Sequence, residues 1–261
     1  MTPASYGSEQ VEGRTALVTG AGSGLGRHIA GALVDRGARV LLVGRTRATL
    51  DATASALPKG STRVLVADVS DPDQVETLRS AADDENVDIL VNNAGVGGPV
   101  AGLVDIAPDE FDQVMSANVR SVFLMCRSFV PQMIDRGHGS VLNIASVAAK
   151  RPLAGRTPYC ASKAAVIALS TTLAAEVGPQ GVTVNALSPG PVKSERMKGN
   201  FAREAERLGI TEQDAESAYV SRAILGRMLE PEEVAAAAIA VVGMSGLHAA
   251  DIDLSAGMVA R

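Results

Sequence analysis

The chain has 261 residues, 46% of them apolar, enough to bury a large core, and strand and helix signals recur along its whole length, so it reads as one α/β domain. Its 24 Lys and Arg against 29 Asp and Glu give a net charge of −5, which argues against nucleic acid or an anionic membrane surface as a partner. Apolar runs such as Val234 to Val242 fall short of a bilayer span and the polar opening lacks a signal-peptide core, so a soluble cytoplasmic protein is expected, with residues 1–12 as a flexible segment and the domain over 13–261.

Runs rich in Val, Leu and Ile recur at Thr15 to Thr19, Arg39 to Val43, Arg63 to Ala67, Asp88 to Asn92, Val141 to Ala145, Val182 to Leu187 and Asp251 to Leu254. Most lack polar alternation, the pattern of strands covered on both faces. Helix-length amphipathic segments separate them. Such alternation predicts a doubly wound, seven-stranded parallel sheet with helices on both faces and ligands bound at the carboxyl ends of the strands.

The first strand runs into Thr19-Gly20-Ala21-Gly22-Ser23-Gly24-Leu25-Gly26, ahead of a helix reaching about Arg36. Glycines let backbone amides approach a ligand, and a helix N-terminus favours phosphate, so Gly20, Ser23, Gly24, Leu25 and Gly26 are candidate contacts of a pyrophosphate. A strict G-x-G-x-x-G is absent. Strand two ends at Val43-Gly44-Arg45, with no acid before Asp51. An acid there would hold a ribose 2′-hydroxyl, whereas Arg45 suits a 2′-phosphate and points to NADP over NAD; a solvated arginine at a strand end is the competing reading. Asp68 and Val69, after strand three, are placed to meet an adenine edge, while Asp68 to Asp73 also suits a turn and helix cap.

Strand four closes on Asn92-Asn93-Ala94-Gly95, where the asparagines with small residues could tie neighbouring strands together and let a ribose lie close to the backbone, Asn92, Ala94 and Gly95 being candidate cofactor contacts. Pro108 to Asp135 reads as one long helix, irregular near its middle, with Asn118 inside it against helix propensity. Ser146 follows the fifth strand, and Tyr159 and Lys163 stand four apart on one face of the next helix. A free tyrosine titrates near ~10, and a nearby ammonium favours the phenolate, so Lys163 could activate Tyr159 while the Ser146 hydroxyl meets it. Pro189 and Gly190 then make a rigid turn from which Val192 and Ser194 could face a bound amide. The charged stretch over about 193–228 reads as one or two short helices forming a substrate lid. Cys126 and Cys160 fall in predicted helices and the three histidines are scattered, so neither disulfide nor metal site is signalled.

Taken together, Thr19-Gly20-x-x-x-Gly24-x-Gly26, Asp68, Asn92-Asn93-Ala94-Gly95, Asn118, Ser146, Tyr159-x-x-x-Lys163 and Pro189-Gly190 resemble, in order, the single-domain branch of the short-chain dehydrogenase/reductase family, 3-oxoacyl carrier-protein reductases in particular. The resemblance covers about Glu12 to Met258. It implies a Rossmann-like fold, a nicotinamide dinucleotide, a small carbonyl or alcohol substrate, and a homotetramer paired through the two long helices and through the last helix and strand. It also implies roles. Ser146 would bind the substrate oxygen, Tyr159 exchange its proton, Lys163 hold the nicotinamide ribose beside Tyr159, and Asn118 position a relay water. The expected reaction interconverts a secondary alcohol and a ketone, on a 3-oxoacyl thioester or similar ketone, with a sugar or polyol as the alternative. A dinucleotide-binding regulator without turnover is the reading from a different class.

Overall fold

A computed structural model describes residues 11–259, so most of the expected flexible segment lies outside the described residues. Val11, assigned to that segment from sequence, is fully buried and joins the core, which places the start of the folded unit before residue 13.

The parallel sheet contains β1 (Thr15–Thr19), β2 (Arg39–Gly44), β3 (Thr62–Val66), β4 (Val87–Asn92), β5 (Gly139–Ile144), β6 (Val182–Pro189) and β7 (Asp251–Leu254), in the order β3-β2-β1-β4-β5-β6-β7. Each lies within two residues of its expected bounds. Successive residues of a strand face opposite sides. Ala16, Val18, Val40 and Leu42 therefore enter one core with Leu33, Val234 and Ile239 from α1 (Gly24–Val34) and α9 (Pro231–Gly243). Leu17, Leu41, Val43 and Leu90 enter the other, against Val75 of α3 (Pro72–Ala81), Phe129 and Met133 of α5 (Ser121–Arg136) and Val166 of α6 (Thr157–Val177). A short α2 (Arg47–Ser55) adds Leu50 to the first core. Strand order reverses between β1 and β4, which opens the crevice where such sheets bind ligands.

Two segments depart from plain helix. The expected helix over Pro108–Asp135 is α4 (Pro108–Met115), one π-helical turn (Ser116–Arg120), then α5, so its irregular middle is real and holds Asn118. The lid folds as α7 (Glu195–Leu208) and α8 (Glu212–Val220), with a small separate core of Phe201, Ala205 and Ala215 and an edge-to-face contact between Phe201 and Tyr219.

The 24-residue stretch Thr157–Gln180, which contains α6, is long and apolar enough by length and composition to cross a membrane, a feature the sequence reading passed over. Its Ser162, Lys163, Val166, Ser170 and Ala174 are buried within the fold, Ser170 accepting from Asn143 of β5.

Candidate active site

Tyr159 and Lys163 lie one turn apart at the start of α6. Lys163 is buried, its Nζ donates to the Ile144 carbonyl at 2.7 Å, and it sits 5.9 Å from the Tyr159 ring centre. Burial, with the Arg196 charge adding to it, pushes the Lys163 pKa down to about 7. Two residues beyond Ile144, the Ser146 hydroxyl accepts a hydrogen bond from Ala148 N at 3.2 Å, capping the turn Val147–Ala149. The end of β5 thus delivers both the lysine's anchor and the serine. Among the described residues no hydrogen bond joins Ser146 to Tyr159, so the contact expected between them is not made directly.

Asn118 is 1% exposed and does not face solvent. Its Oδ1 accepts from Val96 N at 2.7 Å, and its Nδ2 donates to Val96 O at 3.0 Å and Ser162 Oγ at 2.9 Å. Its side chain therefore clamps the loop after β4 to α6, with both amide hydrogens committed. A methyl group on Gly95 would meet Asn118 Oδ1 at 2.8 Å and come within 3.8 Å of Lys163 Nζ, so loop, asparagine and lysine converge.

The glycine loop is built for close backbone approach. Gly20 has φ +69°, and a Cβ there would meet Asn93 Nδ2 at 2.9 Å; one on Gly26 would lie 2.3 Å from Gly20 O. Asn93 Nδ2 donates to Thr19 O, while Thr19 Oγ1 accepts from Asn93 N and Ala94 N, so the loops after β1 and β4 form one surface. The Ser23 side chain makes no capping hydrogen bond, which leaves the amides at the N-terminus of α1, Leu25 included, for a ligand. These features fit a dinucleotide phosphate.

Arg45 is exposed and lies 3.8 Å from Asp68 Oδ2. Asp68 also accepts from Ser70 N and Oγ, the Val69 side chain is buried in the core, and Asp71 caps α3 through Asp73 N and Gln74 N. A cleft of ≈ 550 Å³ lined by Arg45, Ser70, Val96, Gly98, Val114 and Arg203 stops short of Tyr159. Several sequence candidates are held by contacts of their own. Asn92 is buried and donates to Asn143 Oδ1 at 2.8 Å across the β4–β5 pair. Gly190 packs on β7's exit, where a Cβ would lie 2.9 Å from Ser255 Cα. Ser194 caps α7 through Met197 N, and Val192 forms a bridge with Leu229 beside Pro189, the last residue of β6.

The tie between strands expected of the asparagines after β4 is made by Asn93, whose partner is Thr19. The sequence reading gave no role to Thr19, Ser162 or Arg156, and the signal for Thr19 is a small hydroxyl at a strand end inside a quoted motif. Ser162 and Arg156 carry no local signal, since their partners Asn118 and Gly97 lie far away in the chain.

A family model described as short chain dehydrogenase matches residues 14–205. A D-threitol dehydrogenase of Mycolicibacterium smegmatis is 35% identical over 254 residues, covering 95% of this chain and 94% of the relative. The 3-oxoacyl-[acyl-carrier-protein] reductase FabG of Vibrio harveyi is 32% identical, over 88% of this chain and 89% of its own. Among solved structures, an actinorhodin polyketide ketoreductase variant with NADPH superposes with a TM-score of 0.88 at 30% identity, over 95% of this chain and 98% of that one.

Proposed function

The chain belongs to the short-chain dehydrogenase family, an NAD(P)-dependent oxidoreductase acting on CH–OH groups, and on that premise we propose that it interconverts a secondary alcohol and a ketone with Tyr159 as general acid and base and NADP as the preferred dinucleotide. The observation that carries this is the buried Lys163 held 2.7 Å from Ile144 O and against the Tyr159 ring, one turn from it and beside the Ser146 loop.

The residues divide the work. Ser146 donates its hydroxyl hydrogen to the substrate oxygen and holds it before Tyr159. In reduction the Tyr159 hydroxyl gives that oxygen its proton, and in oxidation it takes the proton back. Lys163 sets the field at Tyr159 and faces the nicotinamide ribose. The glycine loop from Gly20 to Gly26, with Asn93 and Ala94 behind it, holds the pyrophosphate, and Arg45 holds the 2′-phosphate. A nicotinamide dinucleotide, when bound, supplies or accepts the hydride.

The substrate is a 3-oxoacyl thioester or a similar small ketone. Likeness over nearly the whole chain to a D-threitol dehydrogenase favours a polyol as the second reading. Half-exposed Phe123 on α5 and the small residues Ala161, Ala164, Ala165 and Ala168 of α6 support a homotetramer paired through these helices.

Turnover of an acetoacetyl thioester and of a panel of aldoses and polyols, with Tyr159→Phe as control, tests this. Loss of general acid–base catalysis lowers the rate by about 10²- to 10⁴-fold. Full turnover by Tyr159→Phe on the best substrate would end the proposed mechanism.

A further inference from the structure

Among the described residues two charged residues are buried as whole residues, Lys163 and Arg156, and both lie against Tyr159. Lys163 has its place above. Arg156 precedes Tyr159 by three residues, is 6% exposed, and holds its guanidinium carbon 5.3 Å from the tyrosine ring centre. One nitrogen donates to Gly97 O at 2.8 Å, in the loop after β4. Its Nε is buried without a partner, and among the described residues no carboxylate forms an ion pair with the group.

The surroundings add positive charge. Burial disfavours the Arg156 cation, Tyr159 and Tyr219 oppose that shift and Arg203 adds to it; Arg196 likewise adds to the effect of burial on Lys163 while donating to Gly95 O. Glu204 is the acid within reach of its field, but it is committed to Arg207 at 2.7 Å. Asn200 Oδ1, close to Gly97, accepts instead from Arg203. Phe201 and Tyr219 make the lid wall apolar. A guanidinium taken out of water is costly unless an anion meets it, and its planar fork matches the geometry of an oxyanion.

We propose that Arg156 is the specificity residue of an anion subsite, so that the substrate is a compact ketone or secondary alcohol carrying a carboxylate, sulfonate or phosphate a few bonds from the reacting carbon. This rests on Tyr159 performing the proton chemistry, and within that reaction class it favours a short anion over a carrier-bound thioester or a neutral polyol. Gly97 O holds one nitrogen of the guanidinium, whose carbon lies 5.3 Å from the Tyr159 ring centre, so the anion is met beside the tyrosine that exchanges the proton.

The test compares matched compounds with NADPH and NADH: acetoacetate against its methyl ester, levulinate against its methyl ester, acetonylsulfonate against acetone, and dihydroxyacetone phosphate against dihydroxyacetone. The wild type should favour the anion of one pair by about 10- to 100-fold in kcat/KM, the effect of a charge-assisted hydrogen bond. The preferred pair identifies carboxylate, sulfonate or phosphate. Arg156→Gln should bring that ratio close to parity. Arg156→Lys, which keeps the charge without the fork, should lower it through KM more than through kcat, and it serves alone if the glutamine variant does not fold. The proposal is overturned if neutral partners match or exceed the anions in every pair, or if the ratio survives both substitutions. Absent charge preference with a dead Tyr159→Phe removes the subsite and leaves the mechanism; a fully active Tyr159→Phe removes the mechanism, and the subsite with it.

Discussion

Lys163 shows how burial and function pull against each other in one side chain. Its folded pKa of about 7 lies below the ordinary 10.5, so the fold bears the full cost of a buried ammonium below about 7. Between about 7 and 10.5 the folded protein releases a proton that the unfolded chain keeps, and stability rises with pH across that window. Cofactor-free Lys163→Met should therefore unfold at higher denaturant than the wild type below about 7, and the gap should close as pH climbs toward 10.5. A gap independent of pH would mean that the folded lysine keeps its ordinary pKa and stays charged across that window. Arg45 makes the opposite case, a cation that is 71% exposed with only a 3.8 Å contact to Asp68. An exposed pair of this kind contributes little to folding. Arg45→Ala should keep the melting temperature but weaken NADPH binding in a calorimetric titration, with NADH binding unchanged; equal losses for both would make the arginine a bystander.

At the scale of the element, the glycine loop separates two reasons for having no side chain. Gly26 sits where a Cβ would press to 2.3 Å on Gly20 O and 2.5 Å on Asn93 Nδ2, so the neighbouring backbone must move. Gly24 has φ +49° and nothing within 4 Å of a would-be Cβ, so its requirement is conformational. Gly26→Ala should cost about 1–3 kcal/mol through overpacking, and Gly24→Ala only about 1–2 kcal/mol through left-handed backbone. Since only Gly26→Ala forces the loops after β1 and β4 apart, it alone should abolish dinucleotide binding, as NADPH titration of the two variants would reveal. The π turn works in a similar way. It turns Asn118 inward to hold Val96 by both its amide and its carbonyl, which a regular helix would leave to chance.

Across the whole molecule, packing among the described residues divides into two large cores on the faces of the sheet and a small third one in the lid. Phe129 belongs to the second large core and Phe201 to the lid. Truncating a buried phenylalanine to alanine removes about 3–5 kcal/mol, but where the loss is felt depends on the cooperative unit. Phe129→Ala should lower the global unfolding midpoint. Phe201→Ala should speed hydrogen exchange in α7 and α8 and raise KM with little change in that midpoint; a matching global loss would show that the lid folds as one unit with the sheet.

Much of this was legible in the chain itself. Buried strands need uninterrupted apolar runs, phosphate cradles need glycine, and Tyr159 and Lys163 meet because four residues make about one helical turn. Local rules sufficed for the seven strands, the break in the helix around Asn118 and the helical lid. They did not reach the duties decided by residues distant in sequence. Asn92 is turned onto Asn143, Ser162 onto Asn118 and Gly190 onto Ser255 because the sheet order and the π turn bring those partners together. Arg156 is the sharpest instance. In sequence it is one arginine among many, and only the closing of the lid and the loop after β4 around it leaves its charge buried beside Tyr159, because solvent exposure is a property of the assembled fold rather than of any segment.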